Sequence, residues 1–470
     1  MMNDKDIYKL FNEVKIEESE FNDMKEEVNI MEKERIKKNL NKRIRGERNL
    51  KRIKYTSTAA ALGLVCLLGI GAASPAVAKN IPGLNSIIQM LNNKNGDQGE
   101  YEKYSQIVDK SVTDKGVTLT VNEILADESK LIISYTIKSN KKIKDLQVFG
   151  LQRFLKINGK DFYGSGGGRG EYIDDYTYIA SEEADINLFK APEKFNVDLK
   201  VREVADVKGK WNFAFSVSKE EIAKNSTIFK PNKKLDFTDS VVTVDKVTFT
   251  PIGTYISLSG DYKEKNRKAN PSNIFEYGYW IAFDDKGVEL IPNGIGGGSS
   301  NSTTFHSEMN YTKVKDIPKY LTILPLKIIP SGGGGVSVDE NGKETPITIE
   351  TKKPTKISKA IDGIYPIELS QGKMGKLIIK EIKTEKDKTI VKFTAEGKVP
   401  YFQAESLHIE DDKGEWVKVK DRDIRKDEEK PNEFTKVFEA LDSNKKYSIC
   451  TNDFDNVEMR EDLKFNIELK

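Results

Sequence analysis

Histidine and cysteine, the residues that most often bind metals or act as catalytic bases and nucleophiles, are scarce in this chain. Histidine occurs at His306 and His408, and cysteine at Cys66 and Cys450. A structural zinc site needs about four nitrogen or sulfur ligands, and no sequence spacing gathers such a set. Two cysteines also cannot make a disulfide scaffold. We therefore predict no metal, no cofactor and no enzymatic activity.

Glycine runs and aspartate-rich turns suggest phosphate and calcium binding as alternatives. The runs at 164–170, 294–300 and 331–335 lack the Lys-Ser/Thr pair of a P-loop and precede no helix, so they indicate hairpin loops or bulges. The turn at Asp284-Asp285 matches no EF-hand spacing and is typical of turn chemistry. No motif marks a carboxylate pair for glycoside hydrolysis, which leaves an external hydrolase as a minor alternative.

The composition describes a polar chain with globular parts. Of 470 residues, 37% are hydrophobic, 32% charged and 9% aromatic, and the formal net charge is +2. The aromatic content is sufficient for packed cores and too high for a disordered chain. The near-zero net charge argues against a nucleic-acid binder, and the basic run at 33–54 has no DNA-binding motif.

One uncharged segment dominates the N-terminal part. No charged residue occurs in the 24 positions from Tyr55 to Ala78. As a helix this segment would be about 36 Å long, enough to cross a hydrocarbon core of about 30 Å. Residues 33–54 carry eleven Lys or Arg and two acids. The positive-inside rule therefore predicts a single-pass protein of the cell membrane, with a cytoplasmic N-terminus and residues 79–470 outside.

Two other interpretations of the segment stay open. Ala76-Val77-Ala78 resembles the cleavage site of a signal peptide, although the 54 residues before the segment are too many for an ordinary signal. A buried core helix would not need the basic flank. Small residues spaced four apart, as in Ala59 and Gly63, would also allow a homodimer through the membrane helix.

The cytoplasmic segment, residues 1–54, has apolar side chains at helical spacing. Residues 1–32 carry ten acidic and four basic side chains, so an anionic lipid surface would repel them. Their apolar spacing and acidic charge favour binding to a protein partner over a tail without a binding role. The predicted partner-facing residues are Ile7, Phe11, Phe21, Met24, Val28, Ile36, Leu40 and Ile44. The residues predicted to contact anionic lipid headgroups are Lys37, Lys38, Lys42, Arg43 and Arg45.

Outside the membrane, a short amphipathic helix and polar linker at 79–99 precede sequence with a period of two. The strand pairs near 116, 241 and 376 resemble one another, which predicts a mainly β fold of tandem antiparallel sandwiches. The three predicted modules span 100–228, 229–365 and 366–470. Each module contains one tryptophan that is expected in its core: Trp211, Trp280 and Trp416. Cys450 is expected in a buried strand.

Three segments carry a resemblance to a known family. They are EKERIKKNLNKRI at 32–44, IPGLNSII at 81–88 and GVTLTVNEILADESKLIISYTI at 116–137. The chain resembles Gram-positive one-pass membrane proteins whose external part is a domain of unknown function, often followed by immunoglobulin-like domains. Members are often encoded beside extracytoplasmic-function sigma factors, so the resemblance implies an anti-sigma factor. Residues 1–54 lack the His-x3-Cys-x2-Cys motif of many anti-sigma factors, and the predicted grip is therefore zinc-free.

Two function classes follow. The first is a regulator whose cytoplasmic helices sequester a sigma factor while external sandwiches sense the envelope, through a ligand or a protease. The second is an envelope-anchored adhesion or spacer protein that binds wall or surface polymer, with the N-terminal part as a mere anchor. A mere anchor would tolerate deletion of residues 1–32, whereas a regulator would release its partner.

Overall fold

The computed structural model describes residues 86–93, 99–144, 146, 150, 154–187, 189–238, 240–263, 279–300, 303–338, 343–347, 351–421 and 429–469. All of them lie in one compact unit, Gly71–Lys470. The predicted cytoplasmic segment 1–54 and the predicted span 55–78 lie outside the described residues. Among the residues described, no helix has the length and apolar character needed to cross a membrane.

The described chain is mainly β, and every strand pair described is antiparallel. Its helices are short: α1 Ile87–Asn93, α2 Tyr101–Tyr104, α3 Glu220–Lys224 and α4 Pro400–Glu405, with 3-10 turns at Gly372–Met374 and Glu461–Leu463. The helix expected just after the apolar segment corresponds to α1. The immunoglobulin-like arrangement stays a prediction.

The first two sheets share one core. Their strands are β1 Gln106–Asp114, β2 Val117–Ala126, β3 Lys130–Ser139, β4 Leu155–Ile157, β5 Lys160–Asp161, β6 Gly166–Asp174, β7 Thr177–Asp185, β8 Lys194–Val204 and β9 Val207–Ser218. The strand orders are β1-β2-β3-β7-β6 and β5-β4-β8-β9. Buried residues of both sheets, such as Leu119 and Val197, form the core. Trp211 is fully buried there, and its indole N–H donates to Val117 O at 3.0 Å.

The next two sheets include the C-terminal end of the chain. Their strands are β10 Thr227–Phe229, β11 Lys233–Asp236, β12 Ser240–Thr250, β13 Gly253–Tyr262, β14 Tyr279–Phe283, β15 Pro292–Ser300, β16 Thr304–Tyr311, β17 Tyr320–Ile328, β28 Val457–Met459 and β29 Phe465–Glu468. One sheet has the order β10-β12-β13-β16-β15 with β11 on β12, and in the other β17 pairs with β14, β28 and β29. Trp280 and Ile467 share this core. β28 and β29 lie within the predicted module 366–470, and they pair with β17 of the preceding part of the chain.

The remaining strands are β18 Gly335–Val338, β19 Glu344–Ile347, β20 Lys356–Ala360, β21 Ile367–Ser370, β22 Gly375–Thr384, β23 Lys388–Gly397, β24 His408–Asp411, β25 Val419–Asp421, β26 Glu433–Glu439 and β27 Tyr447–Asn452. β18 and β19 pair with each other. The other strands form the sheets β21-β22-β23-β26-β25 and β20-β27-β24, which share a third core around Phe393 and Ile449.

The predicted recurrence of one hairpin is confirmed by its register. In the hairpins β2–β3, β12–β13 and β22–β23, the pairing shifts by one residue at the same place: Val121/Glu123, Val244/Lys246 and Ile379/Glu381. Such a bulge moves each later residue to the opposite face of the sheet. In the first hairpin Ile124 therefore enters the core, while Glu123 and Leu125 face away from it.

Two expectations are wrong. Trp416 is 69% exposed rather than buried in a core. The first glycine run is not a hairpin loop, because Gly166–Gly168 begins edge strand β6. A Cβ on Gly166 would lie 2.2 Å from Glu183 O, so glycine allows the close approach of this edge to β7. In the second run, β15 shifts register between Gly296 and Ser299, as a bulge should.

A buried carboxylate joins the first hairpin to the second pair of sheets. Glu308 on β16 is 2% exposed and accepts hydrogen bonds from Ser129 Oγ and Ser257 Oγ, each at 3.0 Å. The pKa of Glu308 is raised to about 7, chiefly by burial. The two serine bonds lower it in part, and the nearby carboxylate of Asp127 adds a smaller increase. Ser129 follows β2, so this contact links two successive hairpins.

Replacing Trp211 should destabilise the first core. Trp211→Ala removes a large buried side chain and an indole hydrogen bond, so the free energy of unfolding should fall by about 3–5 kcal/mol. Trp416→Ala, at an exposed position, should change it by less than about 1 kcal/mol. Urea denaturation of the full chain followed by circular dichroism measures both, and equal losses would contradict the assignment of Trp211 to the core.

The stability of the protein should fall as pH rises through the range in which Glu308 ionises. The folded pKa of about 7 lies above the unfolded value of about 4.3. The folded state therefore binds more protons between these values, and the loss is on the order of 3 kcal/mol. Glu308→Gln keeps an acceptor for both serines and should remove this part of the pH dependence. Urea midpoints at pH 5 and pH 8 measure it, and an unchanged difference in the variant would refute the assignment.

Candidate functional site

The predicted partner-facing residues, between Ile7 and Ile44, and the predicted lipid-facing residues, between Lys37 and Arg45, lie outside the described residues. Both sets stay predictions. The described region nearest to them along the chain is α1, which begins nine residues after Ala78. This helix is therefore the described element closest in the chain to the predicted span.

A single carboxylate holds the first turn of α1. Ser86 Oγ donates to Glu123 Oε2 at 2.9 Å, and the backbone N–H groups of Ile87 and Ile88 donate to the same carboxylate at 3.3 and 3.4 Å. Ser86 Oγ also accepts from Gln89 N at 3.1 Å, as an N-cap residue does. The free N–H groups at the start of a helix favour a negative charge there, so Glu123 anchors α1 to β2.

Glu123 makes these bonds in a dry environment. The residue is 4% exposed. Burial raises the pKa of its carboxyl, while the bonds from Ser86, Ile88 and Ile87 lower it in part, and the net direction is upward. If α1 detached, the buried carboxyl of Glu123 would lose its hydrogen-bond donors, and a buried carboxyl without donors costs free energy.

Apolar contacts hold the other side of α1. Ile88 is fully buried, in a cluster with Leu125, Ile132 and Ile252. Leu125 and Ile132 belong to the first hairpin, whereas Ile252 lies in the turn of the second. The buried face of α1 therefore contacts both hairpins through one cluster.

Hydrogen bonds hold the chain that follows α1 against the helix and against the turn of the second hairpin. Gln89 Nε2 donates to Gly99 O at 2.9 Å, and Gln89 Oε1 accepts from Glu102 N at 3.0 Å. Tyr101 OH donates to Ile252 O at 3.3 Å. The segment predicted as a polar linker thus ends in an ordered turn against the sheets.

Sequence reasoning missed Glu123 because the three hairpins are alike. Glu381 occupies the equivalent position after the bulge of the third hairpin. It is 45% exposed and pairs with Lys392 at 2.8 Å. Glu123 differs from Glu381 in that its partners come from α1, which packs on the first sheet.

A second buried glutamate caps another helix. Glu289 is 1% exposed and accepts from the backbone N–H groups of Tyr401 at 2.8 Å and Phe402 at 3.2 Å, in the first turn of α4. Since Glu289 precedes β15 and α4 follows β23, this contact joins the second and third groups of sheets.

The sheet β20-β27-β24 gathers residues that could bind a metal. The side-chain ligand atoms of His408, Glu410 and Cys450 lie within 4.8 Å of one another. His408 and Cys450 are directly opposite in register, although 42 residues separate them in the sequence. The sequence predicted no such site because spacing along the chain does not reveal pairing across strands.

The aspartate turns behave as turn chemistry predicts. Asp284 Oδ1 accepts from the N–H groups of Lys286 and Val288 at 2.9 and 2.7 Å. Asp411 Oδ1 accepts from Lys413 and Glu415, each at 2.9 Å. These carboxylates close their own turns.

Comparison with known proteins places the chain beside families of unknown function. Residues 48–139 match "Domain of unknown function (DUF4179)" and residues 226–369 match "Family of unknown function (DUF5643)". No curated protein matches the chain. One similar solved structure is titled "The crystal structure of the conserved domain protein from Bacillus anthracis". It has a TM-score of 0.42 and 19% identity, and the likeness covers 55% of this chain and 91% of that one.

Proposed function

We propose that the protein is a membrane-anchored regulator of the anti-sigma type. Residues 1–54 retain an extracytoplasmic-function sigma factor at the cytoplasmic surface, and residues 55–78 cross the membrane once. The external sheets sense the state of the envelope. A change in them reaches the membrane helix through α1.

The observation that carries this proposal is the attachment of α1. A sensor must pass a change in its external sheets to the membrane segment, and a rigid attachment close to that segment provides the path. Glu123 and the cluster around Ile88 supply such an attachment. The match to residues 48–139 supports the same unit, because it includes the apolar segment, α1 and the first hairpin.

The second candidate is an envelope-anchored adhesion or spacer protein. Three repeats of one hairpin favour it, since tandem β modules are common in extended surface proteins. A spacer gains nothing from a helix anchored by a buried carboxylate at its membrane end, which is why we prefer the regulator.

Detaching α1 should alter retention of the sigma factor. Glu123→Ala removes the acceptor of three hydrogen bonds, so amide exchange in α1 should quicken at least about tenfold. The sigma factor should then be released, which a reporter gene under its control measures in cells. Glu102→Ala is the matched control, because Glu102 is an exposed acidic residue beside the same helix.

The two readouts separate the possible outcomes. Faster exchange together with unchanged reporter activity would refute transmission through α1. Unchanged exchange would refute the anchoring role of Glu123 itself.

The grip on the sigma factor should depend on one helical face of the cytoplasmic segment. Changing Ile36, Leu40 and Ile44 to Asp should abolish co-purification of the sigma factor with C-terminally tagged full chain from gentle detergent. Membrane insertion, measured by alkaline extraction, should stay intact.

A matched triple variant tests the opposite face. Lys38, Lys42 and Arg45 lie about half a turn away on a helix, and their replacement by Gln should keep the sigma factor bound. Loss of the sigma factor only from this second variant would contradict the predicted face. Recovery of wall components alone, with or without residues 1–32, would favour the spacer.

A further inference from the structure

The sheet β20-β27-β24 has a covered polar cluster on the face that turns away from its core. Ile409 and Ile449 pack into the third core, so the alternate residues His408, Glu410 and Cys450 face the other way. The face of a sheet opposite its core is usually exposed to solvent, yet these three residues are between 0 and 6% exposed. The indole of Trp416 stacks on the imidazole of His408, with ring centroids 4.3 Å apart.

Both ring nitrogens of His408 face an oxygen atom. Nδ1 faces Ser406 O at 3.0 Å, and Nε2 faces Glu410 Oε1 at 3.1 Å. Both facing oxygens are acceptors, whereas a neutral imidazole has one N–H. When Nδ1–H donates to Ser406 O, the lone pair of Nε2 meets the carboxylate. A second proton or a metal ion must then lie between Nε2 and Oε1.

The surroundings suit a metal ion. Nε2 and Oε1 are 3.1 Å apart, close to the separation of about 3.3 Å between two ligands of a tetrahedral zinc ion. Cys450 lies opposite His408 and supplies a sulfur ligand. Imidazole, carboxylate and thiolate together are ligands that zinc and similar transition metals accept.

Each of the three ligands has a second partner that orients it. Ser406 O fixes the tautomer of His408, and Lys356 Nζ binds Glu410 through Oε2 at 2.6 Å, which leaves Oε1 to face the imidazole. Cys450 Sγ lies 3.3 Å from Ser358 Oγ. Metal ligands characteristically have such outer contacts, which set ligand orientation and affinity.

We propose that His408, Glu410 and Cys450 bind a divalent transition-metal cation, with Zn²⁺ as the physiological type of ion. Binding replaces the thiol proton of Cys450 by a metal–sulfur bond. The proton held between Nε2 and Oε1 also gives way to the metal, and both protons pass to the solvent. The fourth position belongs to a water molecule. The ion joins β24 to β27 beneath Trp416. This proposal is independent of the regulator function.

The test uses the full chain, purified in mild detergent under reducing conditions and freed of metal with a chelator. Titration with Co²⁺ should give one equivalent of bound metal with a sulfur-to-cobalt charge-transfer absorption in the near ultraviolet, and Zn²⁺ should displace it. Co²⁺ should also quench the fluorescence of Trp416. Because the thiol proton of Cys450 must leave and burial raises the pKa of that thiol, affinity should rise by at least about tenfold per pH unit between pH 6 and pH 8.

The scarcity of histidine and cysteine gives matched controls. Cys450→Ser should abolish the charge-transfer absorption, and His408→Gln should weaken binding at least about tenfold. Cys66→Ser and His306→Gln should leave both unchanged, since they remove the other cysteine and the other histidine. Circular dichroism verifies that each variant is folded.

Three results would overturn the site. They are the absence of stoichiometric binding, an absorption that survives Cys450→Ser and disappears in Cys66→Ser, and equal affinities for the wild type and His408→Gln.

Discussion

A carboxylate buried away from water is tolerable only when hydrogen-bond donors or cations surround it, and the described structure is joined by carboxylates of this kind. Glu123 accepts hydrogen bonds from the first N–H groups of α1, and Glu289 accepts them from the first N–H groups of α4. Glu308 accepts hydrogen bonds from serine hydroxyl groups of two successive hairpins. In each case the donors come from a distant part of the chain. Separating two of these parts of the chain would expose the carboxylate or leave it without its hydrogen-bond donors. The hydrogen bonds to these carboxylates therefore couple the sheets.

This coupling gives the proposed regulator a physical basis. α1 follows the predicted membrane segment in the sequence, and its apolar face packs against residues of two hairpins. A displacement of one hairpin against the other must therefore disturb the packing of α1 or the bonds to Glu123. Because burial raises the pKa values of Glu123 and Glu308, both contacts also respond to the protonation of a carboxyl group.

One repeated pattern supplies different chemistry in different surroundings. The bulge turns an acidic residue away from the core in the first and third hairpins. Glu123 meets a helix there, whereas Glu381 meets solvent and a lysine. The outer face of the sheet β20-β27-β24 follows the same logic. Polar residues that alternate with core residues are ordinarily exposed to water, whereas His408, Glu410 and Cys450 are buried and Trp416 stacks on His408.

The sequence by itself determined the mainly β fold, the recurrence of one hairpin, the helix at α1 and the burial of Trp211, Trp280 and Cys450. These follow from the periodicity and apolar character of neighbouring residues, which act locally. The tertiary structure alone decided that Glu123 anchors α1, that Trp416 is exposed, that β28 and β29 complete an earlier sheet, and that His408 lies opposite Cys450. Each of these depends on which distant strand or helix covers a given face. Alternation along one strand says which residues share a face and carries no information about what will pack against it.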